Sequence, residues 1–231
     1  MSEWQQAWPS EVGVRTVREL FRTVYDAEPD GVWASPGRVN LIGEHTDYNG
    51  GLCLPIALPH RTYVAVSARS DGRVRMTTDI GDAVWEGEVA ELAPGKVSGW
   101  VAYCGGPAWA LREVGFEVPG FDLAVASCVP LGAGLSSSAA VECAVGLALA
   151  QLAGQRLDTD DDARARLATL CVLAENEVAG APTGGMDQAA SLRTTAGHAL
   201  LLDCRDGSVE QVGFDLASDG LELLVIDTRA S

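Results

Sequence analysis

Residues 36–51 read Pro-Gly-Arg-Val-Asn-Leu-Ile-Gly-Glu-His-Thr-Asp-Tyr-Asn-Gly-Gly. They crowd a cation (Arg38), two carboxylates (Glu44, Asp47) and an imidazole (His45) between glycine turns. A lining of this kind suits a neutral ligand with several hydroxyls, because each buried hydroxyl needs both a donor and an acceptor. It also discriminates, since a missing or inverted hydroxyl leaves a buried carboxylate without a partner. The alternative is a polar loop whose charges are merely solvated. Apolar Val39, Leu41 and Ile42 inside the run, with Leu52, Leu54 and Ile56 after it, favour a loop tucked against a core, and so a site.

A second run, Pro130-Leu131-Gly132-Ala133-Gly134-Leu135-Ser136-Ser137-Ser138-Ala139-Ala140, lies between a strand pattern and an apolar helix. Gly132 and Gly134 permit backbone conformations that aim several N–H groups at one point. The unbonded N–H groups at the start of the helix add positive potential there. The combination is an anion cradle suited to a di- or triphosphate, with serines able to cap the helix, bond phosphate oxygens or ligate magnesium. An ordinary glycine turn with serine caps is the competing reading. No lysine follows the glycines and no third glycine stands at the dinucleotide spacing, so neither the Walker nor the dinucleotide pattern applies. A third run, Ala174-Glu175-Asn176 with Gly180-Ala181-Pro182-Thr183-Gly184-Gly185-Met186-Asp187-Gln188, places Asp187 in a glycine-flanked turn and Glu175 near a helix end.

Around these runs, hydrophobic periodicity predicts a helix from Ser10 to about Tyr25 and strands at Thr62–Arg69, Arg73–Asp79 and Ala83–Val89. A helix is expected over Trp100–Glu113 and a strand over Phe121–Val129, which sets Phe121, Leu123 and Val125 on one face and small residues on the other. An apolar helix should then run from the glycine loop to Ala153. Another is expected over Asp158–Ala179, with aspartates in its first turn where the dipole favours them. His198–Cys204 and Leu221–Asp227 read as strands. The class is α+β, with helices packed on one side of a sheet. A first domain is expected over residues 1–204, with a second lobe beginning at 205–231 and cut short.

The net charge of −16 argues against a nucleic-acid partner. Six scattered cysteines without a C-x-x-C pair, and only three histidines, speak against zinc and for buried free thiols in a reducing cytoplasm. The first residues have no basic and apolar signal-peptide pattern, and Ala139–Ala153 is too short to span a bilayer, so no membrane role is expected. Lys96 is the single lysine among sixteen basic residues, a bias read as that of the source genome.

The glycine loop resembles the ATP-binding motif of the GHMP small-molecule kinases. Residues 36–51 resemble the signature of galactokinases within that superfamily, and the third run resembles the stretch bearing the family's metal ligand and acidic residue. The resemblance implies a GHMP kinase N-terminal domain, a mixed sheet like that of ribosomal protein S5 domain 2 with helices packed on it. It also implies ATP-dependent phosphorylation of galactose at its anomeric hydroxyl, by a monomer. By the same resemblance Asp187 and Arg38 are catalytic. Arg38, Glu44, His45, Asp47, Gly184 and Asp187 bind the sugar, with Tyr48 shaping the pocket. Residues Pro130, Leu131, Gly132, Ala133, Gly134, Leu135, Ser136, Ser137, Ser138 and Ala139 hold ATP. By this resemblance Trp100 packs on adenine, although as a bare feature a core residue is the stronger reading. Ser138 and Glu175 ligate Mg2+.

Thr183 stands where many galactokinases carry cysteine, and no lysine follows Tyr103. The superfamily's third, glycine-rich motif is absent from these residues, so these 231 residues alone are expected to turn over poorly or not at all. A related sugar-1-kinase (acting on N-acetylgalactosamine, arabinose or galacturonate) and a non-catalytic sensor of galactose and ATP are the alternatives. A sensor would be expected to show damage in the serine loop or at the base, and both are intact.

Overall fold

The computed structural model describes residues 5–81 and 83–226. Helix α1 (Ser10–Tyr25) leads into strand β1 (Gly31–Asn40), a short β2 (Leu52–Cys53), a long β3 (Pro55–Arg69), β4 (Arg73–Thr78) and β5 (Trp85–Glu88). Then come α2 (Trp100–Glu113), β6 (Gly120–Ser127), α3 (Ser137–Leu152), α4 (Asp161–Ala174), α5 (Met186–Arg193), β7 (His198–Asp203) and β8 (Ser208–Gly213). Among the described residues no helix is long and apolar enough to cross a membrane.

Five strands form a mixed sheet in the order β1-β3-β6-β4-β5, in which β4 and β6 run parallel and the other pairs antiparallel. The main core lies on one face, where Val64, Val66, Met76, Leu123 and Val125 meet residues of α2, α3 and α4. Helices were expected on one side only, but α1 covers the other face, with Val17, Phe21 and Tyr25 against Tyr63, Ala65, Ala124 and Ala126. The reason lies in β6 itself: its second face carries alanines, and that flat surface admits a helix with a narrow apolar stripe. Asp122 shares this second face and is bonded bidentately by Arg75 at 2.7 Å, while Arg69 reaches it at 3.1 Å.

The remaining elements differ from expectation where local rules give way to tertiary ones. Residues 36–40 belong to edge strand β1, not to a loop, and the register slips between Pro36 and Arg38. Proline is tolerated there because it costs an edge no ladder bond, and such a bulge re-aims the following side chain. Helix α4 starts at Asp161 and not Asp158, since Asp160 caps it by accepting from the Ala163 N–H at 2.8 Å, while Asp158 pairs with Arg156. Residues Glu175–Ala179 form a π turn that ends at Gly180. Asp187 stands in α5, not in an open turn. Leu221–Ile226 form no strand and are exposed, since a strand needs a paired edge and none of the described strands offers one to this segment. Asp227 and the rest of the expected second lobe to residue 231 lie outside the described residues. Arg205, at its expected start, follows β7 in the turn to β8 of a second, three-stranded sheet ordered β2-β7-β8.

Candidate functional site

The bulge in β1, the glycine loop before α3 and the first turn of α5 converge on one carboxylate. Arg38 Nε donates to Asp187 Oδ1 at 2.8 Å, and the Ser136 hydroxyl donates to Asp187 Oδ2 at 2.5 Å. Arg38 Nη1 also donates to the Gly134 carbonyl at 2.7 Å, and the Arg38 N–H donates to the Leu135 carbonyl at 3.1 Å. One guanidinium therefore ties a charged group to the loop expected to cradle phosphate. The Arg38 and Asp187 side chains are 14% and 19% exposed, so the pair is largely withdrawn from water while open on one side. Gly132 and Gly134 both hold φ at 71°, where a side chain would be strained. Ser136 holds φ at 55° without that excuse, and residues in this conformation are costly and cluster at functional sites. Ser137 and Ser138 open α3, with their N–H groups free of intrahelical partners.

The sugar-signature segment stands beside this centre. Asn40 Nδ2 donates to Glu44 Oε1 at 2.9 Å, Thr46 closes the turn by donating to the Gly43 carbonyl at 2.6 Å, and the Tyr48 hydroxyl meets His45 Nδ1. Gly184 lies so close that a Cβ there would fall 2.6 Å from the Asp47 carbonyl carbon and from the Tyr48 nitrogen. That approach brings Asp47 to the start of α5. The expectation of a loop tucked against a core holds only in part. Val39 packs with Leu58, Val129, Leu135 and Ala140, but Ile42 and Leu52 are 69% and 52% exposed, and Glu44 and His45 face solvent. Their chain follows the outward turn between β1 and β2, and the apolar pattern there does not coincide with the packed side.

Glu175, 6% exposed, opens the π turn. Such turns insert a residue into the helical ladder and so re-aim the side chains around them. Asn176 fixes the turn to the next loop by accepting from the Thr183 N–H at 2.7 Å. Burial pushes the Glu175 carboxyl up, and the nearby Asp187 charge adds to this, while hydrogen bonds from Ser138 and Gln188 draw it back down. Glu142, on α3, is fully buried, and burial together with the Glu175 charge pushes its carboxyl well above the usual range. The proton of this pair therefore belongs on Glu142. Glu142 and Gln188 were not singled out from the sequence. The signal was available in a single carboxylate inside a helix otherwise apolar on every face.

A buried carboxylate beside the Asp187 carboxylate and a serine hydroxyl fits a hard divalent cation, whose charge would offset the cost of burying it. Magnesium is commonly bound by one or two carboxylates with water and phosphate oxygens completing the shell. Trp100 opens α2 and packs partly buried against the main core, and among the described residues no hydrogen bond or ring contact joins it to the glycine loop. Pro130 opens the loop, Ala133 lies between its two glycines, and Leu131 is exposed on it.

The family model described as the galactokinase galactose-binding signature matches residues 19–68, and that of the GHMP kinases N terminal domain matches residues 102–195. A galactokinase of Streptomyces coelicolor is 55% identical over 215 residues, covering 93% of this chain and 54% of the relative. One of Canis lupus familiaris is 41% identical, covering 92% of this chain and 54% of the relative. The crystal structure of Lactococcus lactis galactokinase complexed with galactose superposes with a TM-score of 0.78 at 31% identity, covering 87% of this chain and 52% of that one. Mevalonate kinase of Methanococcus jannaschii, at 17% identity and a TM-score of 0.65 over 81% of this chain and 57% of its own, shares the fold. Fold and site together define a GHMP kinase N-terminal domain. Within that class the chain belongs to the galactokinase family, and it spans about half the length of the relatives it matches.

Proposed function

We propose that this chain carries the acceptor-sugar and phosphate sites of an ATP-dependent galactokinase. The reaction moves the γ-phosphoryl group of ATP to the anomeric hydroxyl of D-galactose and yields galactose 1-phosphate and ADP. The observation that carries this reading is the grip of Arg38 and Ser136 on the two oxygens of Asp187, at the junction of the sugar signature and the glycine loop.

Phosphoryl transfer asks for alignment and charge neutralisation more than for covalent help. Asp187 orients the anomeric hydroxyl and takes its proton as the new O–P bond forms. Arg38 holds that carboxylate in place, and its guanidinium also offsets charge developing on the transferring group. Residues 130–139 cradle the ATP phosphates through backbone N–H groups, and Trp100 bounds the adenine side. Glu44, His45, Asp47 and Gly184 line the sugar pocket, where each carboxylate accepts from a hydroxyl. Ser138 and Glu175 would hold Mg2+, which neutralises phosphate charge when bound. We read the protein as a cytoplasmic monomer, in keeping with cysteines that are mostly buried among apolar side chains.

Calorimetric titration with galactose, with glucose, and with a non-hydrolysable ATP analogue plus magnesium tests the reading. Binding of galactose but not glucose supports it. A folded chain that binds glucose as well as galactose sinks the sugar assignment.

A further inference from the structure

Gln188 follows Asp187 on α5 and is fully buried. Its Nε2 donates to Glu175 Oε2 at 2.5 Å and to Glu142 Oε2 at 3.2 Å, so both of its N–H bonds are spent on carboxyl groups. Gln188 Oε1 and Glu142 Oε1 are buried with no partner among the described residues. An arrangement that leaves two oxygens unpaired is costly, and an apolar side chain of the same volume would fill the space more favourably. Its benefit lies in placement. Glu175 opens a π turn, whose added residue sets its side chain apart from the regular helical spacing. With Oε2 fixed by the amide, the directions open to the other Glu175 oxygen are restricted.

We propose that Gln188 is a positioning residue: it ties Glu175 to Glu142 and thereby presents the free oxygen of Glu175 to the divalent cation that accompanies the nucleotide. The inference deepens the proposed function and rests on its reading of Glu175 as a cation ligand. Because Asp187 and Gln188 are consecutive on α5, the tie also sets the spacing between that cation and the carboxylate that meets the sugar. Glu142 is the anchor, held in α3 directly behind the serines of the phosphate loop.

The test uses Mn2+ with a non-hydrolysable ATP analogue, read by the electron paramagnetic resonance signal of free Mn2+, beside calorimetric titration with galactose. Gln188→Met keeps the length and removes both donors. The expected result is a folded variant that binds galactose within about twofold of the parent while its Mn2+–nucleotide affinity falls about tenfold or more, the usual cost of losing a group that orients a metal ligand. If Gln188→Met does not fold, Gln188→Asn, which withdraws the amide by one methylene, is expected to show the same split. Equal losses for both ligands, or no loss for either, overturn the proposal. Glu175→Ala separates the two layers: if it takes up Mn2+–nucleotide as the parent does, the reading of Glu175 itself fails. A parent chain that takes up no Mn2+–nucleotide overturns both.

Discussion

The Ser136 hydroxyl donates to Asp187 across 2.5 Å from a backbone held at φ 55°, a left-handed conformation that serine avoids. The loop thus retains a strained residue whose side chain grips the carboxylate of the site. Ser136→Gly relieves the strain and loses the bond, so its stability to urea should stay within about 1 kcal/mol of the parent. Ser136→Ala keeps the strain and loses the bond, and should cost about 1–2 kcal/mol. Under the proposed function, both should also slow whatever galactose phosphorylation a single-turnover assay detects, by about tenfold or more.

Asp187→Asn preserves shape and removes the carboxylate proposed to take the sugar's proton. Phosphorylation should fall by about 10² to 10⁴, with galactose affinity little changed. A double-mutant cycle of Asp187→Asn with Arg38→Met should give a coupling of about 1–2 kcal/mol in unfolding experiments, less than for a fully buried pair because both side chains retain some exposure. Additive effects would show that the two residues act separately.

Gly184→Ala places a methyl group 2.6 Å from main-chain atoms of Asp47 and Tyr48, which cannot swing aside as a flexible side chain would. Stability should fall by about 1–3 kcal/mol. Galactose affinity should drop more than tenfold while affinity for the ATP analogue holds, because the displaced segment is the one proposed to line the sugar pocket.

Glu142 supplies a pH signature. Its carboxyl sits well above the usual 4.5, so between those two values the folded chain binds more protons than the unfolded one. Stability is therefore greatest below about 4.5 for this group and declines as pH rises through its elevated value, by at most about 1.4 kcal/mol per pH unit. Glu175, Cys104, Cys143 and Tyr103 all feel or impose this charge, and the Gln188 amide opposes the shift. Glu142→Gln should flatten the slope in denaturation curves taken from pH 4.5 to 8. An unchanged slope would mean the proton resides elsewhere.

The sequence was informative where a residue type has few uses. Alternation in Phe121–Val129 disclosed both faces of β6, and the apolar run after Ser138 disclosed α3, because burial on every side leaves no polar stripe. Gly132 and Gly134 disclosed a turn because few other residues hold φ near 71° at no cost. Helix α5 went unread: eight residues with five of them apolar or small give no clear period, and its start is set by Gly185 in a left-handed conformation. Strand β1 was read as a loop because Pro36, Gly37 and three polar or charged residues hide it, and its partner β3 supplies the order instead. The tie among Glu142, Glu175 and Gln188 joins three separate helical segments, and no local pattern encodes such a meeting. Leu221–Ile226 has strand composition, yet among the described strands none pairs with it.

Arg38 and Asp187 are 149 positions apart in the chain. Their contact closes a long loop, and the entropy of that closure must be met by the sheet and α3 packing first. During synthesis β1 and β3 can pair long before α5 exists, leaving Arg38 to wait without its carboxylate. The centre is thus assembled late, after the elements on which it rests. Substitutions that weaken α5 docking alone should speed unfolding and leave the folding rate nearly unchanged.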